Sequence, residues 1–217
     1  MRFVTSMMVV LAGLMSVSAQ ACYTGLALIP TADVVQSGEY SIELQFDGTF
    51  ARGMEETRIL NTEFGLTPRL EAGIDYDFSR DAETRTLLNA KYVLLTPREQ
   101  RPALAVGTCN VGQNLKSSPY AVATRDCGSA RGHLGVVSID GNGRWFGGVD
   151  KAVNKKLTLT ADYTSGNENN SSIGLSYQFN DRSGITSGVV FPNEGGDTQL
   201  TIHLVCSGSC RHTGVRR

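Results

Sequence analysis

The chain has 217 residues, 19% of them charged, and a formal net charge of −1 at pH 7. That balance provides no basic field for nucleic acid. After the first residues, no apolar run reaches the roughly 18–20 residues that a membrane-spanning helix needs. Helical periodicity is nearly absent, whereas Gly, Thr, Ser and Asn are plentiful.

Residues 1–21 have a basic start (Arg2), an apolar stretch from Met7 to Met15 and an Ala19-Gln20-Ala21 ending. This is the layout of a secretory signal peptide, so the mature chain is expected to begin near Cys22. Acylation of Cys22 stays open, although Ala19 stands where acylation signals favour Leu. The remaining roughly 195 residues suffice for one domain or one membrane barrel.

"TGLALIPTADVV" follows, residues 24–35. Pro30 and the Thr31/Asp33 pair argue against a helix interior, and the alternation is poorer than in what comes next. Leu26, Leu28 and Ile29 do not stay exposed cheaply, because burying each is worth about 1.5–3 kcal/mol. Gly25 and Pro30 allow a bent path. The segment 22–38 is therefore expected to fold back and cap or partly plug the periplasmic mouth of the domain that follows, with Leu26, Leu28, Ile29 and Pro30 as its contacts.

From Gly38 on, the sequence alternates with period two, the strand signature. "GEYSIELQF" places Tyr40, Ile42, Leu44 and Phe46 opposite Ser41, Glu43 and Gln45. "RLEAGIDYDF", "KLTLTADY" and "SSIGLSYQF" do the same. About twelve such segments are predicted, near 39–48, 57–66, 69–78, 85–95, 102–109, 118–126, 131–139, 143–150, 156–164, 172–180, 184–191 and 197–206. Short turns (66–69, 153–156, 180–184) trade places with longer polar loops (79–85, 110–118, 165–172).

An even strand count with short turns at one end and long loops at the other is the pattern of outer-membrane barrels. Phe46, Phe64, Phe78, Tyr163, Phe179 and Phe191 sit at strand ends, where interfacial girdles lie. Trp145, the single Trp, is expected to be another interface anchor. The second face is rich in carboxylates and has little to bury against a partner sheet. The fold expected is all-β: a single antiparallel transmembrane β-barrel of about twelve strands over 39–206, with a tail over 207–217. The last strand, "TQLTIHLVCS", lacks the terminal aromatic usual in such barrels. A soluble secreted β-sandwich with a carbohydrate-binding or adhesive role is the alternative fold.

Several stretches resemble the YjbH-type family of outer-membrane β-barrel proteins. They are "TGLALIPTADVVQSGEYSIEL", "FGLTPRLEAGIDYD", "LLNAKYVLLTP" and "RPALAVGTCNVGQNLKSSPYAVATRD", in that order over residues 24–137. Asn110 stands where that family usually has Asp, and Pro119 where it has Glu. The resemblance implies a barrel, and a non-enzymatic role in exopolysaccharide or envelope export, with membrane lipid and export proteins as partners. A general small-solute porin is the alternative.

The lumen lining is predicted to be Glu43, Asp47, Glu63, Glu71, Asp75, Asp77 and Asp162, against Lys91, Arg125 and Lys151. Such a face can fill the interior with ion pairs or line a cation-favouring or sugar-contacting pore. Glu71/Asp75 and Asp75/Asp77 have the spacing of paired glycosidase carboxylates, yet acidic lumens are common in barrels, and no catalytic residue is assigned. His133 and His203 lack a nucleophile context. Cys206 and Cys210 are close enough in sequence for a short disulfide. Cys109 and Cys127 flank a predicted hairpin and fall at opposite ends of it. Cys206, Cys210 and His212 lack a fourth ligand for zinc, and no metal or cofactor is expected.

Overall fold

The computed structural model describes residues 24–49, 56–80, 82, 85–99, 101–112 and 115–210. The expected signal peptide, Cys22, His212 and most of the predicted tail lie outside the described residues. There are twelve strands: β1 Glu39–Thr49, β2 Glu56–Thr67, β3 Leu70–Asp77, β4 Thr86–Leu95, β5 Ala103–Val111, β6 Ser118–Asp126, β7 Arg131–Ile139, β8 Asn142–Ala152, β9 Leu157–Thr164, β10 Asn170–Asn180, β11 Ser183–Pro192 and β12 Gln199–Ser209. Each pairs antiparallel with its sequence neighbours, and β1 closes on β12 from Glu39↔Ser209 to Thr49↔Gln199. Closure leaves no strand edge unpaired, which a hydrocarbon surrounding demands.

The distribution of side chains is inverted relative to a soluble domain. Ile173, Leu134 and Ile74 are 64, 63 and 53% exposed on the outer face, whereas Glu71, Asp75 and Lys91 are at most 1% exposed inside. An apolar exterior around a polar interior is stable only against lipid, so the chain is an outer-membrane barrel. The aromatics Phe46, Phe64, Phe78, Tyr163, Phe179 and Phe191 all face outward. Trp145 is 52% exposed and its ring lies 5.0 Å from that of Tyr163, on the lipid side near one rim. An outer groove between β4 and β8, floored by Ala121, Ala123 and Gly135, belongs to the same lipid-facing surface.

The turn asymmetry has two exceptions. At the end where the N-terminal segment enters, 96–102 is a long connection among short ones. At the opposite end, β7 and β8 are joined by Asp140 and Gly141 alone. Both have positive φ (52° and 87°), the combination that a tight hairpin matching strand twist requires. The polar loop expected over 165–172 is also shorter, since β10 starts at Asn170 and Ser172 already faces inward.

The interior has two unlike walls. The inward faces of β4–β8 carry an apolar cluster of Val93, Ala103, Ala105, Tyr120, Val122, Val137 and Phe146, beside the buried polar residues Asn89, Lys91, Thr124, His133 and Asp150. The inward faces of β1–β3 and β9–β12 carry Glu43, Gln45, Asn61, Glu63, Asp75, Thr160, Asp162, Ser172, Thr201 and His203.

Candidate functional site

The residues from Thr24 to Val35 lie inside the barrel, within the half nearer the N-terminal mouth. They form a tight hairpin: Leu26 N–H donates to the Ile29 carbonyl at 2.9 Å and Gly25 bridges Pro30. The chain passes over Gly65 on its way in, where the Val35 and Gln36 carbonyls occupy the space that any Cβ would need. Gly38 N–H then donates to the Gly65 carbonyl at 2.8 Å. Ile29 and Ala32 pack into the apolar wall, with Leu26, Leu28 and Val34 around them. Ile29 is 1% exposed and rests over Gly148 of β8. Pro30, also buried, turns the chain back toward the entry side.

Main-chain groups of the hairpin meet side chains of the barrel, which satisfies donors that a buried loop otherwise leaves orphaned. Leu28 N–H donates to Asp162 at 3.1 Å, Ala32 N–H to the Thr124 hydroxyl at 2.9 Å and Val35 N–H to Glu71 at 2.7 Å. The Thr24 hydroxyl also donates to Glu71. The Lys91 ammonium donates to the Thr24 and Asp33 carbonyls at 2.7 and 2.8 Å and lies 3.3 Å from Glu71. Glu71 and Lys91 are cross-strand partners on β3 and β4, so the sheet register itself brings them together.

A second set of contacts lies across the lumen. Arg131 pairs with Asp33 of the hairpin at 2.9 Å and with Asp150 at 3.1 Å. His133 bridges Thr124 at 2.9 Å and Asp150 at 2.7 Å. On the polar wall His203 bridges Glu43 at 2.9 Å and Thr201 at 2.7 Å, and Thr201 donates to Asp47 at 2.5 Å. Both are Thr–His–carboxylate chains, but Thr124 and Thr201 are 5 and 1% exposed and buried among these partners. At the far rim Arg144 grips Glu168, whose carboxyl is held below the usual range by its own backbone N–H and then by Arg144.

The expected lining divides as follows. Glu43, Asp47, Glu63, Glu71, Asp75, Lys91 and Asp162 point inward; Glu71, Lys91 and Asp162 meet the hairpin, whereas Glu43, Asp47 and Asp75 bond to His203, Thr201 and Asn89 of the wall. Asp77 is on the same face but at the strand end, where its carboxylate accepts the Ser79 N–H at 2.8 Å and takes no part in the cluster. Arg125 does not line the lumen. Thr124 and Val122 are the inward residues of β6, so Arg125 is turned outward at the rim, exposed. Lys151 is outward for the same reason, and its neighbour Asp150 holds the inward position.

The Cys206–Cys210 bridge is not made. All four described cysteines are free, and β12 stays extended through Ser209. At about 3.3 Å per residue, four residues of strand separate the two Cα atoms by roughly 13 Å, against the 4.4–6.8 Å or so of a disulfide. Cys109 is buried at the far end of β5, opposite Ser118, and Cys127 follows the other end of β6. Among the described residues no group of three or more His, Cys, Asp and Glu is arranged to hold a metal ion.

Beside the hairpin a cavity of about 390 Å³ remains. Ser41, Glu43, Asn61, Glu63, Thr160, Gln178 and His203 line it on the polar wall, and Thr24, Gly25, Leu26 and Arg131 border it on the hairpin side. The hairpin leans on the apolar wall, so the open space is polar.

No family model and no curated protein matches the chain. Solved structures do. The KdgM porin superposes with a TM-score of 0.57 at 14% identity, covering 79% of this chain and 99% of that one. A KdgM porin in complex with disordered oligogalacturonate gives 0.56 at 14%, with the same coverage. The NanC porin gives 0.54 at 10%, covering 78 and 98%. At these identities the likeness establishes the barrel fold.

Proposed function

We propose that the chain is a non-enzymatic diffusion channel for small solutes across the outer membrane, narrowed by its own Thr24–Val35 hairpin from the periplasmic side. The carrying observation is the polar cavity of about 390 Å³ left beside a hairpin that occupies the apolar half of the lumen. Twelve strands enclose more space than the filled eight-stranded barrels and less than the open sixteen-stranded porins. A hairpin seated by apolar packing, hydrogen bonds and one half-exposed ion pair sets that bore without altering the wall. The likeness to KdgM and NanC porins supports the same reading.

Reconstitution of the folded chain in planar bilayers tests it. Discrete conductance steps are expected, and larger steps when residues 24–35 are deleted. Silence at every voltage, with and without the hairpin, overturns the channel. A role in exopolysaccharide or envelope export is the second reading, favoured by the motif order over residues 24–137. Loss of secreted polymer on deletion of the gene, with small-solute uptake unchanged, would select it.

A further inference from the structure

The lipid-facing side of β6 is the floor of a trough. Its outward residues Ala121 and Ala123 are small, whereas Leu104 of β5 and Leu134 and Val136 of β7 rise on either side. Leu134 and Val136 are 63 and 58% exposed. The two wall strands lie about 10 Å apart, two strand spacings, which is the width for one extended hydrocarbon chain. Trp145 stands at the end of the trough towards the far rim, and the groove has a volume of about 400 Å³ with apolar residues alone around it.

Towards the N-terminal mouth the trough ends on positive charge. The next outward residue of β6, about 7 Å beyond Ala123, is Arg125. Opposite it on β7 is Gly132, where a Cβ would meet nothing within 4 Å. Lys151 is the last outward residue of β8, and Lys155 and Lys156 follow in the β8–β9 turn, all of them exposed. None of these four side chains has a hydrogen bond or ion pair among the described residues. The carboxylates nearest in sequence are occupied: Asp126 accepts the Gly128 N–H at 2.7 Å, and Asp150 points inward to Arg131 and His133.

Short turns predominate at this end, as at the periplasmic end of bacterial barrels, so the cations meet that leaflet at headgroup level. Unpaired Lys and Arg at such a depth attract anionic lipid headgroups. A second copy of the chain is the poorer occupant. Two barrels inserted in one direction and related by a two-fold axis along the membrane normal present equal heights to each other. Arg125 and Lys151 of one copy would then face the same cations of the other, and like charges across an interface repel.

We infer that the β6 trough with its Arg125 and Lys151 rim binds one anionic phospholipid. An acyl chain lies along Ala121 and Ala123, and the phosphodiester sits over Gly132 between the two cations. Arg125 supplies the forked donor pair that matches a phosphate. The site is outside the lumen and does not depend on conduction.

Native mass spectrometry of the folded full chain in detergent tests it, with phosphatidylglycerol and phosphatidylcholine of identical acyl chains as probes. One phosphatidylglycerol is expected to bind about tenfold or more tighter than phosphatidylcholine. Arg125→Gln should weaken it about fivefold and Arg125→Gln/Lys151→Gln about twenty-five-fold, the worth of one and two cations near an anionic headgroup. Ala123→Phe fills the trough, leaves both cations in place and should weaken it as well. Arg182→Gln, at the β10–β11 turn of the same rim, should change nothing, and inorganic phosphate should not displace the lipid. Heat-modifiable migration on a semi-native gel checks folding, and the exposed-rim double variant decides if Ala123→Phe does not fold. Phosphatidylcholine binding as tightly, or unaltered affinity in the folded double variant or in folded Ala123→Phe, overturns the site. So does an effect of Arg182→Gln equal to that of Arg125→Gln, which would mean diffuse attraction by the whole rim. Dimers of the chain that disappear in Ala123→Phe, with no loss of bound lipid, would assign the trough to a second copy and overturn it too.

Discussion

Arg131 holds Asp33 at 2.9 Å while its Nε lies 3.1 Å from Asp150, so one guanidinium ties the inner hairpin to the barrel wall. The Arg131 and Asp33 side chains are 39 and 43% exposed, and a pair that open to water is worth at most about 1 kcal/mol. Asp33→Asn is therefore expected to loosen the hairpin without unfolding the barrel. About 1 kcal/mol corresponds to roughly a fivefold change in a two-state ratio. Single-channel recordings should show the fully open level up to five times more often. An unchanged open fraction would show that this pair does not hold the hairpin.

Gly148 tests the apolar seat of the hairpin. A Cβ there would come within 2.7 Å of Ile29 Cδ1 and 2.9 Å of Leu26 Cδ1. Both are ends of side chains that belong to the hairpin, not to the wall. Gly148→Val should displace the hairpin and raise conductance, with heat-modifiable migration still reporting a folded barrel. Packing into this wall is the larger attachment: Ile29→Ala should cost the docked hairpin about 2–5 kcal/mol, more than the loss of Asp33.

Glu71 joins the hairpin to β3 and β4. It accepts from Thr24 and Val35 and pairs with Lys91, both side chains being 1% exposed. Removing one partner of a buried ion pair costs about 3–5 kcal/mol, because the other charge stays buried. Lys91 keeps two carbonyl acceptors, so Glu71→Gln should cost about 3 kcal/mol, and Glu71→Gln/Lys91→Met less. Urea unfolding in lipid vesicles measures both. A double variant worse than the single would show that Lys91 does not depend on Glu71.

The cysteines provide a direct check of the strand register. Cys127 and Cys210 are exposed beyond strand ends, whereas Cys109 is fully buried. A hydrophilic maleimide should label Cys127 and Cys210 in the folded barrel and reach Cys109 only after denaturation. Non-reducing mass mapping should find no Cys206–Cys210 bond. Its presence would mean that β12 ends several residues earlier.

The lining was legible where one strand face is polar and the other apolar. In β3 the alternation of Glu71, Gly73 and Asp75 with Ala72, Ile74 and Tyr76 leaves one assignment, and the structure has it. In β6 both faces are apolar, Tyr120 and Val122 inward against Ala121 and Ala123 outward. A polar-in rule has nothing to read there, which is why Arg125 looked like a lumen residue. The inner face of β6 is apolar because Ile29 and Ala32 pack on that wall. In β8 a signal was present: Trp145 and Val149 share the outward face, which turns Arg144, Phe146 and Asp150 inward. Asp150, Arg131 and Thr124 acquire their roles only from what stands opposite them.

The sequence by itself determined the strand count, the approximate strand limits and the barrel class. Period-two alternation is local, and each strand carries its own lipid face in a dozen or fewer residues. It also marked 24–35 as too apolar to stay exposed. Tertiary structure alone decided that Asp33 meets Arg131 at a separation of 98 residues and that Leu28 meets Asp162 at 134. Those facts depend on barrel closure and register, which sum over all twelve strands and are encoded in no single one of them.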